Sequence, residues 1–148
     1  MNSPATLRAT IADLPDIEEL LDDSALPLAG VRDRLEHFFI AREGTILIGT
    51  VGLELYGREG LLRSLAVRPS ERSKGTGSAL TREVMAEARR LGVRRLILLT
   101  TTAERYFSQR GFRTIERGTI TGEMTRSAEF TGACPGSAVC MELLLNNE

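Results

Sequence analysis

Polar and apolar residues change period repeatedly along the chain, and each change marks an element. At 13–26, Ile17, Leu20 and Leu21 recur at helical spacing behind Asp13 and Pro15, so the pattern predicts a helix capped by Asp13. Upstream, "ATLRATI" (5–11) reads as a short strand, and "PLAGVRDRLEHF" (27–38) as a turn and short helix through Val31 and Leu35. Over 37–57 apolar segments flank the "REG" turn at 42–44. Val51, Leu53 and Leu55 alternate there with Gly52, Glu54 and Tyr56, which predicts a hairpin. "LLRSLAV" (61–67) is a further strand. Helical spacing returns over 77–91, with Leu80, Val84, Ala88 and Leu91 in one stripe and Arg82, Glu83 and Glu87 away from it. "RRLILLT" (94–100) predicts a buried strand, "AERYFSQRGF" (103–112) a helix stopped by a left-handed Gly111, and "SAVCMELLL" (137–145) a last strand. Residues 113–133 mix both periods and predict no element. Strand–helix–strand–helix after a hairpin implies an α/β fold with a mixed central sheet flanked by helices.

Composition narrows the class. The 148 residues suit one domain spanning 1–148, and 42% hydrophobic with 26% charged residues is ordinary for a globular chain. A net charge of -1 gives no reason to expect nucleic acid or an anionic membrane surface. No apolar stretch approaches the roughly 20 residues of a membrane span, and "MNSPATLRATIADLP" lacks a signal peptide's apolar block, so a cytoplasmic location is expected. Two cysteines make no disulfide framework. His37 is the only histidine, no His/Cys cluster has zinc spacing, and no metal is expected.

The chemistry concentrates at "RPSERSKGTGSALTREV" (68–84), where a strand feeds a helix through a basic, glycine-rich turn. Helix-start N–H groups lack intrahelical partners and carry partial positive charge. Glycines let that backbone approach phosphate oxygens closely, and Arg72 and Lys74 add countercharge. Neither a P-loop nor a Rossmann fingerprint is present. On these residues alone, a phosphate site and a solvated glycine-assisted helix start are both open.

"LLRSLAVRPSERSKGTGSAL" resembles the signature of the GCN5-related N-acetyltransferases, in which a strand ending in Leu-Ala-Val leads to Arg/Gln-x-x-Gly-x-Gly/Ala at a helix start. Arg72, Gly75 and Gly77 match it position for position, and "LILLTTTAERYFSQRGF" resembles the family's second block. "LLRSLAV", "LLTTTAE" and "EFTGACPGSAVCM" are similar to the subgroup named for arsenic-resistance operons and to small amino-acid acetyltransferases. The resemblance implies acetyl-CoA as cosubstrate. Arg72, Ser73, Lys74, Gly75, Thr76, Gly77 and Ser78 would hold the pyrophosphate. The backbone of Leu65, Ala66 and Val67 would pair with the pantetheine arm like an added strand. A small-molecule amine is the implied partner, and a homodimer is left open.

Acetyl transfer needs an amine relieved of its proton, a polarised thioester carbonyl and a protonated leaving thiolate. Family members commonly carry an acid tyrosine four residues before Gly-Phe. Here that position is Phe107, with Tyr106 one residue earlier and turned by ~100° on the helix. Tyr106 is a candidate acid or a packing aromatic. Glu54 and Tyr56 share one side of a strand and form either a proton-transfer pair or a solvent-facing one. Relatives with a glutamate on the cofactor strand have Leu61 as the counterpart here, which favours Glu54 as base. Arg63 either clamps a substrate carboxylate or snorkels to the sheet edge. Thr100, Thr101 and Thr102 end a strand, where they contact pantetheine or substrate (Thr101 above all) or cap the next helix. Cys134 and Cys140 read as small apolar packing. Three functions follow: an N-acetyltransferase of a small amine, an amino acid or toxic analogue; an acyl-CoA-binding module without turnover; and a thiol-based arsenical binder.

Overall fold

The computed structural model describes residues 5–145; the ends of the expected 1–148 domain lie outside the described residues. Strands β1 (Thr6–Arg8), β2 (Phe38–Glu43), β3 (Ile46–Tyr56), β4 (Glu59–Val67), β5 (Arg95–Thr100), β6 (Arg113–Ile115) and β7 (Val139–Leu144) form one sheet in the order β1-β2-β3-β4-β5-β7-β6. Helix α1 (Leu14–Asp23) precedes β2, α2 (Thr76–Arg90) joins β4 to β5, and α3 (Glu104–Ser108) follows β5. The β4–β5 pair is parallel and the other pairs are antiparallel, as a helical crossover between two hairpin-built halves requires. This is the expected α/β architecture.

Alternation along the strands sorts the core onto two faces. Phe39, Val51, Leu53, Leu62, Leu96 and Leu98 meet the stripe Leu80, Val84 and Ala88 of α2. On the opposite face, Phe38, Ile40 and Leu47 pack against Ile17, Leu20 and Leu21 of α1. Beside them Leu61, Ile97 and Leu99 are covered by Ile120, Met124 and Cys134. The stretch without a predicted element thus roofs half of one sheet face, through short 3-10 turns at Arg117–Thr119 and Gly122–Arg126 and a wide π-type turn at Glu129–Ala133.

Several local expectations change. Asp13 sits at the start of α1 but makes no cap bond into it; its carboxylate accepts from Thr10 N at 2.8 Å and from Arg42 at 2.8 Å. The helix expected over 103–112 closes early. Phe112 N–H donates to Phe107 O at 3.1 Å and Gly111 N–H to Ser108 O at 3.1 Å, with Gly111 at φ 96°: a Schellman stop, as the glycine predicted.

Glu87, expected away from the apolar stripe, is buried. Arg8 of β1 grips its carboxylate with two nitrogens at 2.8 and 3.1 Å, Arg90 lies at 2.8 Å and His37 Nδ1 at 3.0 Å. This cluster ties the edge strand to α2, and the sequence hides it because Arg8 and Glu87 are 79 residues apart. The Arg8 bonds, opposed by burial and aided by Arg90 and His37, hold the Glu87 carboxyl at about 2 against an ordinary 4.5. A depressed carboxyl stabilises the fold above its ordinary pKa and loses that contribution as pH falls toward the folded one. Urea midpoints are therefore expected to drop as pH falls from about 4.5 to 2, where this carboxylate is protonated. Glu87→Gln should be less stable at neutral pH and show a flatter dependence over that interval.

Candidate active site

The site begins with a fault in strand pairing. Between β3 and β4 the register steps from Thr50↔Ala66 to Gly52↔Arg63, so Val51 faces both Ser64 and Leu65. This is a β-bulge, and Ser64 takes φ 61°, a left-handed conformation that a non-glycine residue adopts only under constraint. Parallel pairing of β4 with β5 covers only Glu59–Leu61 and Arg95–Ile97. Beyond it, β4 runs on to Val67 and β5 to Thr100 without pairing, and the sheet opens. A cavity of about 880 Å³ fills the opening.

One end of the cavity is the helix start. Arg72, Ser73, Gly75, Gly77 and Ser78 line it. Ser73 (φ 68°) and Gly75 (φ 88°, immediately before α2) turn the backbone into a concave anion-binding shape at the positive end of a 15-residue helix. Arg110 reinforces this end: it stacks 3.5 Å from the centre of the Tyr106 ring and donates to Ser78 Oγ at 2.9 Å. Nothing in the spacing singled it out. Lys74 is exposed, 3.6 Å from Glu71, and Thr76 is buried; neither lines the cavity. The middle is walled by Leu65, Ala66 and Val67 on one side and Leu98 to Thr102 on the other. Thr101 is exposed on this wall, whereas Thr100 Oγ1 accepts from Ala103 N at 3.0 Å and caps the turn into α3.

The far end departs most from expectation. Glu54 and Tyr56 do share one side of β3, and the Tyr56 hydroxyl donates to the Glu54 carboxylate. Neither lines the cavity, and the 117–134 segment covers this sheet face; Glu54 is 2% exposed and Tyr56 half-buried. Arg63, paired across from Gly52, is wholly buried on the same face. It donates to Glu54 at 2.8 Å, to Ser64 Oγ at 3.0 Å and to Pro27 O at 3.3 Å, and lies 3.5 Å from Glu129. Snorkelling to the edge is thus overturned; Arg63 lines the cavity with most of its guanidinium N–H groups already engaged. Glu129, in the segment that gave no prediction, lines the cavity and is 3% exposed.

Two carboxylates share this one guanidinium, and their environments separate them. Burial pushes the Glu54 carboxyl up, but bonds from Tyr56, Arg63 and Ser127 outweigh it and leave it below its ordinary value. Burial raises the Glu129 carboxyl, opposed by Arg63 and a Cys134 bond and aided by the Glu54 charge. Burial and the Glu129 charge push the Cys134 thiol up to about 12; burial also raises Cys140. Among the described residues, no group of three or more His, Cys, Asp or Glu is arranged to hold a metal ion.

Tyr106 lines the cavity, and its hydroxyl is engaged within the fold. It lies 3.1 Å from Thr81 Oγ1, beside Gly77 at the helix start, not at the inner end of the strand gap. Phe107, at the usual tyrosine position, is buried against Phe112.

Known proteins share this frame. The acetyltransferase (GNAT) family model matches residues 6–112. An amino-acid acetyltransferase of Mannheimia succiniciproducens is 32% identical over 76% of this chain and 28% of its own length; one of Salmonella typhi is 33% identical over 74% and 27%. The chain thus spans less than a third of the length of these curated relatives. Among solved structures, Rv2747 of Mycobacterium tuberculosis, in complex with CoA and NLQ, has TM-score 0.80 and 27% identity over 97% of this chain and 100% of that one. The N-acetylglutamate synthase of Neisseria gonorrhoeae, complexed with coenzyme A and N-acetyl-glutamate, has TM-score 0.84 at 22% identity, over 99% of this chain and 36% of that chain, a likeness of fold. No helix among the described residues is long and apolar enough to cross a membrane. With a match that runs from β1 through the α2 cradle to Phe112, the chain belongs to the acetyltransferase (GNAT) family.

Proposed function

We propose that this chain is an acetyl-CoA-dependent N-acetyltransferase acting on a small amine of the amino-acid class, by direct attack of the amine on the thioester. The observation that carries the reading is the continuous cavity from the α2 start, through the parted strands, to the buried Arg63–Glu54–Glu129 cluster. Its outer end suits a pyrophosphate, and the unpaired flank of β4 suits an amide-bearing arm. Its inner end offers a carboxylate to an ammonium. The amino-acid class is supported by the names of the curated relatives and by the N-acetyl-glutamate bound to the gonococcal synthase. Thiol release from acetyl-CoA over amino acids, their toxic analogues, polyamines and aminoglycosides tests both acceptor and turnover; acetyl-CoA bound but never consumed would leave a binding module.

In this reading Glu54 and Tyr56 are positioning residues that hold Arg63, and Arg63 holds Glu129. On this reading the Tyr106 hydroxyl, engaged with Thr81 at the helix start, is not the acid for the leaving thiolate. Tyr106→Phe is accordingly expected to keep most of its turnover in the thiol-release assay; a loss of ~100-fold would assign it the acid role instead.

Gly77 gives a clean probe of the cofactor seat. A Cβ there would meet only the Tyr106 hydroxyl at 3.4 Å and Val67 at 3.7 Å, ordinary contacts. Gly77→Asp should therefore fold normally yet lose acetyl-CoA affinity by at least tenfold, through a negative charge set against the phosphates, as measured by calorimetry.

Arg63→Ala should cost ~3–5 kcal/mol in unfolding free energy, because two buried carboxylates lose their counter-charge. A residue that served only as a substrate clamp would instead raise KM and leave the urea midpoint in place.

A further inference from the structure

We infer that Glu129 is the general base of the reaction: its carboxylate receives the acceptor's ammonium and takes one proton from it before the nitrogen attacks the thioester. The inference rests on the N-acetyltransferase reading above. It starts from placement. Glu129 and Glu54 both reach Arg63, but only Glu129 lines the cavity. Glu54 is closed off behind Arg63 and sealed by the Tyr56 hydroxyl. A carboxylate that is to meet a substrate has to stand at the cavity wall, and of the two acids in the Arg63 cluster Glu129 is the one whose residue lines it.

Its surroundings fit the task. The wide turn that carries it is pinned at both ends, by Glu129 N–H donating to Ser127 Oγ at 3.2 Å and Cys134 N–H to Glu129 O at 3.3 Å. The charged and titratable groups facing it are Arg63 from β4, Glu54 from β3 with Tyr56 behind it, and Cys134 from its own segment, with Arg117 acting on Cys134; Asp22 of α1 lines the same cavity. With both carboxylates ionised and one guanidinium between them, the buried cluster carries one net negative charge, so an entering ammonium neutralises it. Neighbouring walls of Leu26, Pro27, Leu99, Ala133 and Ala138 are apolar, which lowers the local dielectric and strengthens that attraction. Burial and the Glu54 charge raise the proton affinity of the Glu129 carboxylate, while bonds from Tyr56, Arg63 and Ser127 lower that of Glu54. Two acids pushed apart in this way divide into one that keeps its charge and one that exchanges a proton.

The step balances. The ammonium gives one proton to Glu129 and becomes an amine. Its lone pair forms the C–N bond to the acetyl carbon, and the C–S bond breaks with its electron pair on sulfur. The nitrogen's surplus proton passes to that sulfur, which leaves as the CoA thiol. Glu129 then releases its proton to solvent.

The test is Glu129→Gln, assayed by thiol release with the best amine of the panel named above. Loss of this carboxylate leaves the Arg63–Glu54 pair whole, so the variant should fold and bind acetyl-CoA as before, checked by thermal unfolding and calorimetry. At neutral pH kcat is expected to fall ~10²–10⁴-fold, the range of general base catalysis. The deficit should shrink above the amine's own pKa, near ~8 for an α-amine, where the acceptor arrives already deprotonated. Glu129→Asp should recover part of the loss. An unchanged kcat and pH profile, or a loss equal at all pH values, would overturn the role while leaving an active acetyltransferase. A wild-type chain that turns over no amine would overturn both readings together.

Discussion

Everything at this site depends on two strands that begin as partners and then part. Three residues of β4 pair with β5, and after that the bulge at Ser64 turns β4 away. A sheet cannot leave backbone donors and acceptors facing an apolar interior, so an opening of this kind is stable only if water or a ligand reaches it. The bulge therefore does two things at once. It creates the cavity, and it lines one wall with backbone groups that an extended, amide-rich ligand can satisfy. The α2 cradle at the mouth is a consequence of the same geometry, because the chain leaves β4 at that point and must turn sharply to start the crossover helix.

The inner end is governed by a second constraint, the burial of a guanidinium. Arg63 is wholly enclosed, and a lone buried cation would cost several kcal/mol. Glu54 compensates it from the neighbouring strand and Glu129 from the roof. The surplus of one carboxylate is what gives the pocket its chemical character. The same roof segment that satisfies Arg63 also closes this sheet face, so residues 117–134 complete the inner site.

Much of this was legible in the residues, and the reason differs from place to place. The α2 stripe and the β3 alternation are periodic, and local period is what a sequence carries best; Gly111 marked its stop because few other residues take its conformation. Arg72, Gly75 and Gly77 were legible because a short contiguous stretch builds the cradle. Glu54 and Tyr56 were correctly set on one side of a strand, but their exposure was misjudged, because it depends on a segment some 70 residues downstream. That segment has no repeating period, so Glu129 gave no signal at all. Arg63 was seen as a charge on an apolar strand, yet its partners come from β3 and the roof, and only the folded chain reveals that its charge is already spent.

Cys134 lines a cavity suited to a thioester. A thiolate there would be the obvious competitor for the acetyl group, giving a dead-end acyl-enzyme by simple thioester exchange. With its pKa pushed up to about 12 by burial and by Glu129, the thiol form dominates at neutral pH. If Glu129 receives the acceptor as proposed, the negative charge that attracts an ammonium also disarms the neighbouring sulfur nucleophile.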